Sequence, residues 1–510
     1  MIYWRLFNQA PFFWIMFRKL LLITVLLFTA RAGAYANFDF NPNCVQAYKC
    51  LLDMRLTEAR ELINKEKAQH PQNSITLLLD NYYDFFYLLT NESKADYERL
   101  KENRSARIDK LENEDDKSPY YNFSIAQVYL QWALIQSKFG DFTSAGLGIN
   151  KAYRLLQTNK KKFPGFLPDN IPLGVVNVLL GSLPNGALKS ILGFFGIKGN
   201  TQAGVNMLES TAAAIRTSGY AYHYDELVFY LTYIQTDVVN DPAAYSKMLA
   251  LTAALDDKSQ LKTYITGYIS LRTGHSNETI AIFEKRHQDA AFQPYPYLDY
   301  LLAVAKMNRQ DTDANNYFNK YLQTNRGVNL IKDSYLHLAW QCLLSGDTRR
   351  YSAFIQLAKT KGYTYHDKDK QALDEANDNA PDPSLLRARL LCDGGFYTRA
   401  LAALSNKTLN DFSLPRDKIE YYYRLGRIYD AMDKDDEAIG YYLKAIGIGK
   451  TSTYHYAATS AIRMGIIYEQ RKEYAKARNA YQMVSGFSTR QFKNSLEQKA
   501  KDGINRVNGK

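Results

Sequence analysis

Seven histidines are where chemistry in this 510-residue chain would start: His70, His223, His275, His287, His337, His366 and His455. Two of them at i, i+4 on a helix with a glutamate between would hold zinc and activate water. No such pair occurs. Two local groupings with carboxylates remain, His223-Tyr224-Asp225 and His366-Asp367-Lys368-Asp369. The first lies at a helix start and the second in a polar stretch, so capping and solvation are the expected roles rather than metal binding. Asp433-Lys434-Asp435-Asp436-Glu437 has the composition of a calcium loop, but the sixth position, which such a loop gives to glycine, is Ala438. There is no nucleophile elbow, phosphate loop or dinucleotide fingerprint. The expectation is no catalytic residue, no metal and no cofactor, hence not an enzyme.

Four cysteines complete the reactive inventory. Cys44 and Cys50 are close enough to form a disulfide, provided the chain between them is not a regular helix. Cys342 and Cys392 read as small buried residues at helix-packing positions. None of the spacings is that of a zinc site.

The elements that would position any site are helical hairpins. Over 420–446 the sequence reads EYYYRLGRIYDAMDKDDEAIGYYLKAI. Tyr422, Leu425, Gly426 and Tyr429 fall at helical spacing, as do Ala438, Tyr442 and Ala445, with a polar turn at Asp433–Asp436 between them. Gly426, Ala438 and Ala445 stand where two helix backbones come close, and Tyr429 and Tyr442 fill the remaining grooves. These residues resemble the tetratricopeptide repeat, with tyrosine in its tryptophan position. Gly465, Tyr468, Tyr474, Ala477 and Tyr481 mark a second repeat. Weaker pairs are expected over 44–73, 124–156, 263–286, 300–322, 335–358 and 386–404. The segment 91–117 reads as one long solvated helix, Lys368–Pro383 as a polar boundary or hinge, and 491–506 as a solubilising cap. The fold expected is all-α, a right-handed solenoid of tetratricopeptide-like hairpins, because no hairpin buries its apolar face alone.

The segments expected are a signal peptide over 1–36, helical hairpins over 37–165, an apolar hairpin region over 166–208, further hairpins over 209–367 and a C-terminal array over 384–510. Arg18-Lys19, the apolar run Leu20–Ala30 and Ala34-Tyr35-Ala36 make a signal with cleavage after Ala36. Met16 is an alternative start. The run is short for a membrane span. The chain is therefore expected to be exported, to the periplasm or outer envelope. Losing Arg5, Arg18, Lys19 and Arg31 lowers the formal charge of +12 to +8. Lysines and acids are interspersed, so nucleic acid is not an expected partner.

Leu173–Leu208 is the most unusual stretch: apolar, with a Leu183-Pro184-Asn185-Gly186 turn and a glycine elbow from Gly193 to Gly199. Gly181, Ser182, Leu183, Pro184, Leu188, Lys189, Ile191, Leu192, Gly196, Gly199, Gly204, Val205 and Leu208 resemble a segment of the tetratricopeptide repeat protein 39 / inclusion body clearance family. The resemblance implies an all-helical repeat fold and a non-catalytic, interaction-type activity. By analogy with solenoids, the expected function is a scaffold for a protein or peptide partner in the envelope, with no binding residue assigned. Two alternatives are a membrane- or lipid-associated module acting through 173–199, and an envelope glycan binder using aromatics outside the packing positions.

Overall fold

The computed structural model describes residues 37–183, 187–194, 196, 199–239, 241–287 and 289–509. The expected signal peptide, the Pro184–Gly186 turn and Phe195, Ile197 and Lys198 of the elbow lie outside the described residues. Every regular element among those described is helical. The N-terminal part comprises α1 (Pro42–Leu52), α2 (Leu56–Gln69), α3 (Ile75–Asn91), α4 (Lys94–Leu100), α5 (Asn103–Glu112), α6 (Pro119–Lys138), α7 (Phe142–Lys162), α8 (Asn170–Ser182), α9 (Ala187–Phe194), α10 (Thr201–Ile215) and α11 (Tyr224–Tyr233). Then follow α12 (Ala244–Thr252), α13 (Gln260–Arg272), α14 (Ser276–Glu284), α15 (Tyr297–Arg309), α16 (Ala314–Thr324), α17 (Ile331–Leu344), α18 (Thr348–Thr360) and α19 (Asp367–Asn377). The C-terminal part comprises α20 (Pro383–Asp393), α21 (Tyr397–Ala402), α22 (Pro415–Ala431), α23 (Asp435–Gly449), α24 (Tyr456–Gln470), α25 (Tyr474–Met483) and α26 (Lys493–Val507).

Most of these pair as antiparallel hairpins, giving an all-α helical-hairpin solenoid. One device repeats. A glycine on the first helix lies under an aromatic ring sixteen residues later on the second: Gly267 under Phe283, Gly426 under Tyr442 and Gly465 under Tyr481. A Cβ at any of the three would come within 2.3–2.6 Å of the ring. The turns share a second device, a residue in the left-handed region. Glycine holds it at 140, 274, 346 and 395, whereas Gln310, Asp433 and Lys472 hold it at φ 72°, 57° and 61°.

The repeat residues divide between the core and its edge. Ala438, Tyr442, Ala445 and Ala477 have no exposed surface, and Leu425 and Tyr481 are buried. Tyr422, Tyr429 and Tyr468 are only half-buried at the edge of that core. The buried ring is Tyr423, and Tyr429 stacks flat on Tyr441 at 5.4 Å rather than filling the groove between the helices.

Several local expectations change. Cys44 and Cys50 are both buried free thiols in the regular helix α1. A helical offset of six positions puts them ~9 Å apart along the axis and on different faces, beyond disulfide reach. Segment 91–117 is two short helices, α4 capped by Ser93, with Tyr97, Ile108 and Leu111 buried. Segment 368–383 is mostly α19, a third helix laid against α17 and α18 through Ala372 and Ala376. Asp433–Glu437 opens α23, and Arg471 of the next hairpin pairs with Asp435 and Asp436 at 2.7 Å.

In the apolar stretch, α8 packs on α10 with glycine at the seam. A Cβ on Gly204 would lie 2.7 Å from the Gly174 carbonyl and 2.8 Å from the Val178 nitrogen. A Cβ on Gly199 would lie 2.4 Å from the Gly181 nitrogen. The glycines thus serve close helix contact. No helix among the described residues is long and apolar enough to cross a membrane. One uninterrupted core runs from Phe38 to Ile269, across the expected boundaries at 165 and 208. The array winds round far enough for Lys189 of α9 to reach Gln498 of the last helix at 2.7 Å.

Candidate functional site

The two histidine groupings separate. His223 is fully buried and makes no side-chain cap, which overturns the capping and solvation reading. Its Nδ1 lies 3.2 Å from the Tyr48 hydroxyl, and its ring packs on Tyr222 and Phe40. Tyr48 and Tyr82 donate to Glu226 at 2.5 and 2.9 Å, so this is a polar knot inside the core. His366 does cap, accepting from the Lys368 amide at 3.1 Å at the start of α19. Its neighbour Asp369 is buried, not solvated. It accepts from the Leu330 and Asp333 amides and so caps α17 from a different helix. Burial lifts the Asp369 carboxyl to about 7. Among the described residues no three His, Cys, Asp or Glu side chains gather as metal ligands would.

Of the several cavities that open along the helices, two gather side chains from distant parts of the chain. The first, of about 380 Å³, is walled by α3, α6, α8, α11, α13, α15 and the segments around α16, α17 and α19. Tyrosines dominate it. Tyr264 and Tyr268 sit one turn apart on α13, and Tyr297 and Tyr300 nearly so on α15. Their spacing creates a ladder of rings: Tyr264 to Tyr268 at 5.6 Å, Tyr264 to Tyr295 at 5.9 Å, Tyr295 to Tyr297 at 5.7 Å and Tyr300 to Tyr321 at 5.5 Å. Phe85, Leu89, Leu134, Val175, Leu179 and Ile234 complete the apolar wall. A π-helical segment, Ile234–Val239, extends α11 and brings Asp237 to the Tyr268 hydroxyl at 2.8 Å and to Arg272 at 2.6 Å. At the other end stand Glu92, Lys138, Asn329 and His366. Burial, with Lys138 and Lys368 nearby, lowers His366 to about 4, so it is neutral at pH 7.

The second cavity, of about 330 Å³, is polar. Arg416, Glu420, Tyr423, Arg424 and Arg427 form one stripe of α22, at i, i+4, i+7, i+8 and i+11. α20 adds Arg389, whose guanidinium lies 4.8 Å over the Trp340 ring of α17 and 3.3 Å from both Glu375 oxygens. Arg424 pairs with Glu420 at 2.7 Å. Arg416 is consumed by Asp417, Asp378 and the carbonyls of Asn379 and Ala380. Arg427 makes no hydrogen bond or ion pair among the described residues. His455 closes one side, 3.0 Å from Gln491, and burial lowers it to about 4.

The sequence had pointed to neither lining. Its signal was available: Tyr264 and Tyr268, like Arg416, Glu420 and Arg424, lie off the glycine-bearing face and repeat with helical spacing. What it lacked was the meeting of helices far apart in the chain.

No protein-family model matches the chain, and no curated protein matches it. Similar solved structures include the yeast Tom70, at 14% identity over 88% of this chain and 86% of that one, with TM-score 0.24. Another is the APC/C hetero-tetramer Cut9–Hcn1, at 12% identity over 91% and 95%, with TM-score 0.22. Superpositions this loose bear on no residue of either cavity.

Proposed function

We propose that this protein is a non-catalytic scaffold that holds a protein or peptide partner against the arginine-lined cavity, in the cell envelope after export. The observation that carries the reading is the α22 stripe. It presents Arg427 free of any short ion pair, with only the longer-range attraction of Tyr423, Cys392, Tyr442 and Asp393 around it, beside the ion-paired Arg416 and Arg424. An extended peptide brings an N–H and a C=O at every residue, and each needs a polar partner when it leaves water. A cavity lined by carboxylates, guanidiniums and amides supplies them. Acidic side chains on the partner would seek Arg427 and the exposed edge of Arg389. Export rests on the residues Arg18 to Ala36.

Affinity capture after in-cell crosslinking tests the scaffold. A reproducible partner is expected on the native protein and not on Arg427→Glu, with circular dichroism and Tm alike for the two. The same partners on both would sink the reading. Fractionation and N-terminal sequencing test the location, with Asn37 expected as the first residue of an envelope-associated chain.

A further inference from the structure

We propose that the inner face of the solenoid binds a compact multivalent anion of the phosphate type, held where Arg272, Arg427, Arg463 and Lys499 converge. The site goes beyond the scaffold reading and shares only Arg427 with it.

The fold brings the four cations together from two sides. Arg427 and Arg463 lie on α22 and α24, each the first helix of its hairpin. α26 packs on α24 as the next first helix would, with Gly503 against the Tyr481 ring. Arg463 stands 4.0 Å from Asp430 of α22, and Lys499 follows on α26. Beside it, Gln498 accepts from Lys189 of α9 at 2.7 Å. α9 continues from α8, whose Val175 and Leu179 line one cavity with Tyr268 of α13. Arg272 sits one turn past Tyr268. The end of the array thus folds back toward α13, and cations from opposite walls face one space.

That space is open to solvent. Lys499 and Arg272 are exposed, and Arg427 and Arg463 are half-buried. Lys499 makes no hydrogen bond or ion pair among the described residues. The surrounding protein, then the guanidiniums of Arg463, Arg272 and Arg427, all lower its pKa, and no carboxylate opposes them. The nearby acids are turned to the arginines. Asp237 holds one edge of Arg272 at 2.6 Å, Asp430 already accepts from Tyr442 at 2.7 Å, and Asp393 lies near Arg427. Like charges gathered round Lys499 with no counter-charge repel one another, and an anion bound among them offsets that repulsion.

The arrangement selects the anion. A carboxylate has two oxygens in one plane and a single charge, which one arginine satisfies. A phosphate group presents three terminal oxygens in different directions and up to two charges, so donors from α13, α22, α24 and α26 can bond at once. Planar guanidiniums and a rotatable ammonium both suit such oxygens.

Titration calorimetry of the protein with sodium tripolyphosphate tests this, with citrate and octaglutamate as comparisons. Expected are one-to-one binding of tripolyphosphate that weakens as salt rises, and affinity for citrate lower by about tenfold or more. Lys499→Gln should weaken tripolyphosphate by about tenfold, the loss of one charge-assisted bond. It should also raise the Tm of the anion-free protein, because it relieves the repulsion. Absence of tripolyphosphate binding would overturn the proposal. So would citrate binding equally well, a comparison made on the native protein that needs no variant to fold. Binding undiminished in Lys499→Gln would place the anion elsewhere and overturn it as well, and a lowered Tm would make Lys499 a packing residue with the same result. Octaglutamate binding more tightly than tripolyphosphate, with the same dependence on Lys499, would give the cluster to an acidic partner segment instead. Partner capture on Lys499→Gln should match the native protein, so the anion site and the scaffold reading fail separately.

Discussion

On α13 and α15 the face turned to a cavity carries Tyr264, Tyr268 and Tyr297. On α20 and α22 it carries Arg389, Arg416, Glu420 and Arg424. The scaffold behind the two is alike, since Gly267 lies under Phe283 behind the first and Gly426 under Tyr442 behind the second. What differs is the origin of the wall. The arginine cavity is assembled from neighbours in the array, α17 to α24, with the segment just before α26. The tyrosine cavity needs α3, α6 and α8, which come from the other side of the chain. Long-range packing is thus what gathers an apolar lining, whereas neighbouring helices suffice for a polar one. The repeat fixes spacing, and the remaining face is free to take either chemistry.

The largest expected effect tests that packing. Gly204→Ala places a methyl against backbone atoms of α8 that cannot step aside, and should cost about 3 kcal/mol or more in denaturant unfolding. Gly426→Ala behind the arginine cavity meets the Tyr442 ring and gains helix propensity, so about 1–2 kcal/mol is expected. Equal costs would mean that the α8–α10 seam is no tighter than an ordinary hairpin.

The second contrast lies within the arginine stripe. Arg424→Ala leaves the buried Glu420 carboxylate unpaired and should cost about 3 kcal/mol. Arg427→Ala breaks no short ion pair and loses only the longer-range attraction of Asp393 and its neighbours, so it should cost about 1 kcal/mol, well below Arg424→Ala, while partner capture falls. A large stability loss at Arg427 would make it a structural residue and remove it from the proposed recognition.

Acid should separate the two ends. His366 and His455 are both held down to about 4 by burial, so the stability each gives is present above pH 6.5 and lost as pH falls toward 4. Asp369, held up at about 7, works the other way: it costs stability as pH rises from 4 to 7 and returns it on acidification. At the tyrosine end the two groups share α19 and offset. At the arginine end His455 has no such counterweight three residues away. Between pH 6.5 and 4, hydrogen exchange in α24 should rise before exchange in α17, by about 1 kcal/mol of opening free energy. His455→Gln should abolish the gap. Opening of α17 first would refute the offset.

The hairpins were legible because glycine, alanine and aromatic residues recur at fixed helical spacing, as at Gly426, Ala438 and Tyr442. Tyr422 was read as the packed ring in place of Tyr423 because three consecutive tyrosines, 421–423, put two candidates three and four residues before Gly426, on one face. α19 was hidden by its charge: Ala372 and Ala376 are a narrow apolar face within a polar sequence, and Asp369 is buried only because α17 leaves amides for it to cap. His223 looked local beside Asp225, yet its partners Tyr48 and Phe40 lie far back in the chain. The tyrosine ladder failed to show for the same reason. Periodicity reports one helix at a time, and a wall made of seven helices is a property of their packing.

The smallest effect concerns what the two regions share. Gln310 turns the hairpin that carries Tyr297, and Lys472 turns the one that carries Tyr456, both in the left-handed region that disfavours side chains. Lys472→Gly should raise stability by about 0.5–1 kcal/mol, the relief of that strain less the extra freedom glycine gives the unfolded chain. Gln310→Gly should gain less, because the Gln310 amide donates to the Met307 carbonyl at 2.9 Å and that bond would go. Chevron analysis of both variants measures it. If Gln310→Gly proved the more stabilising, the side-chain bond at the tyrosine end would hold nothing, and the turns of the two regions would differ in strain as well as in sequence.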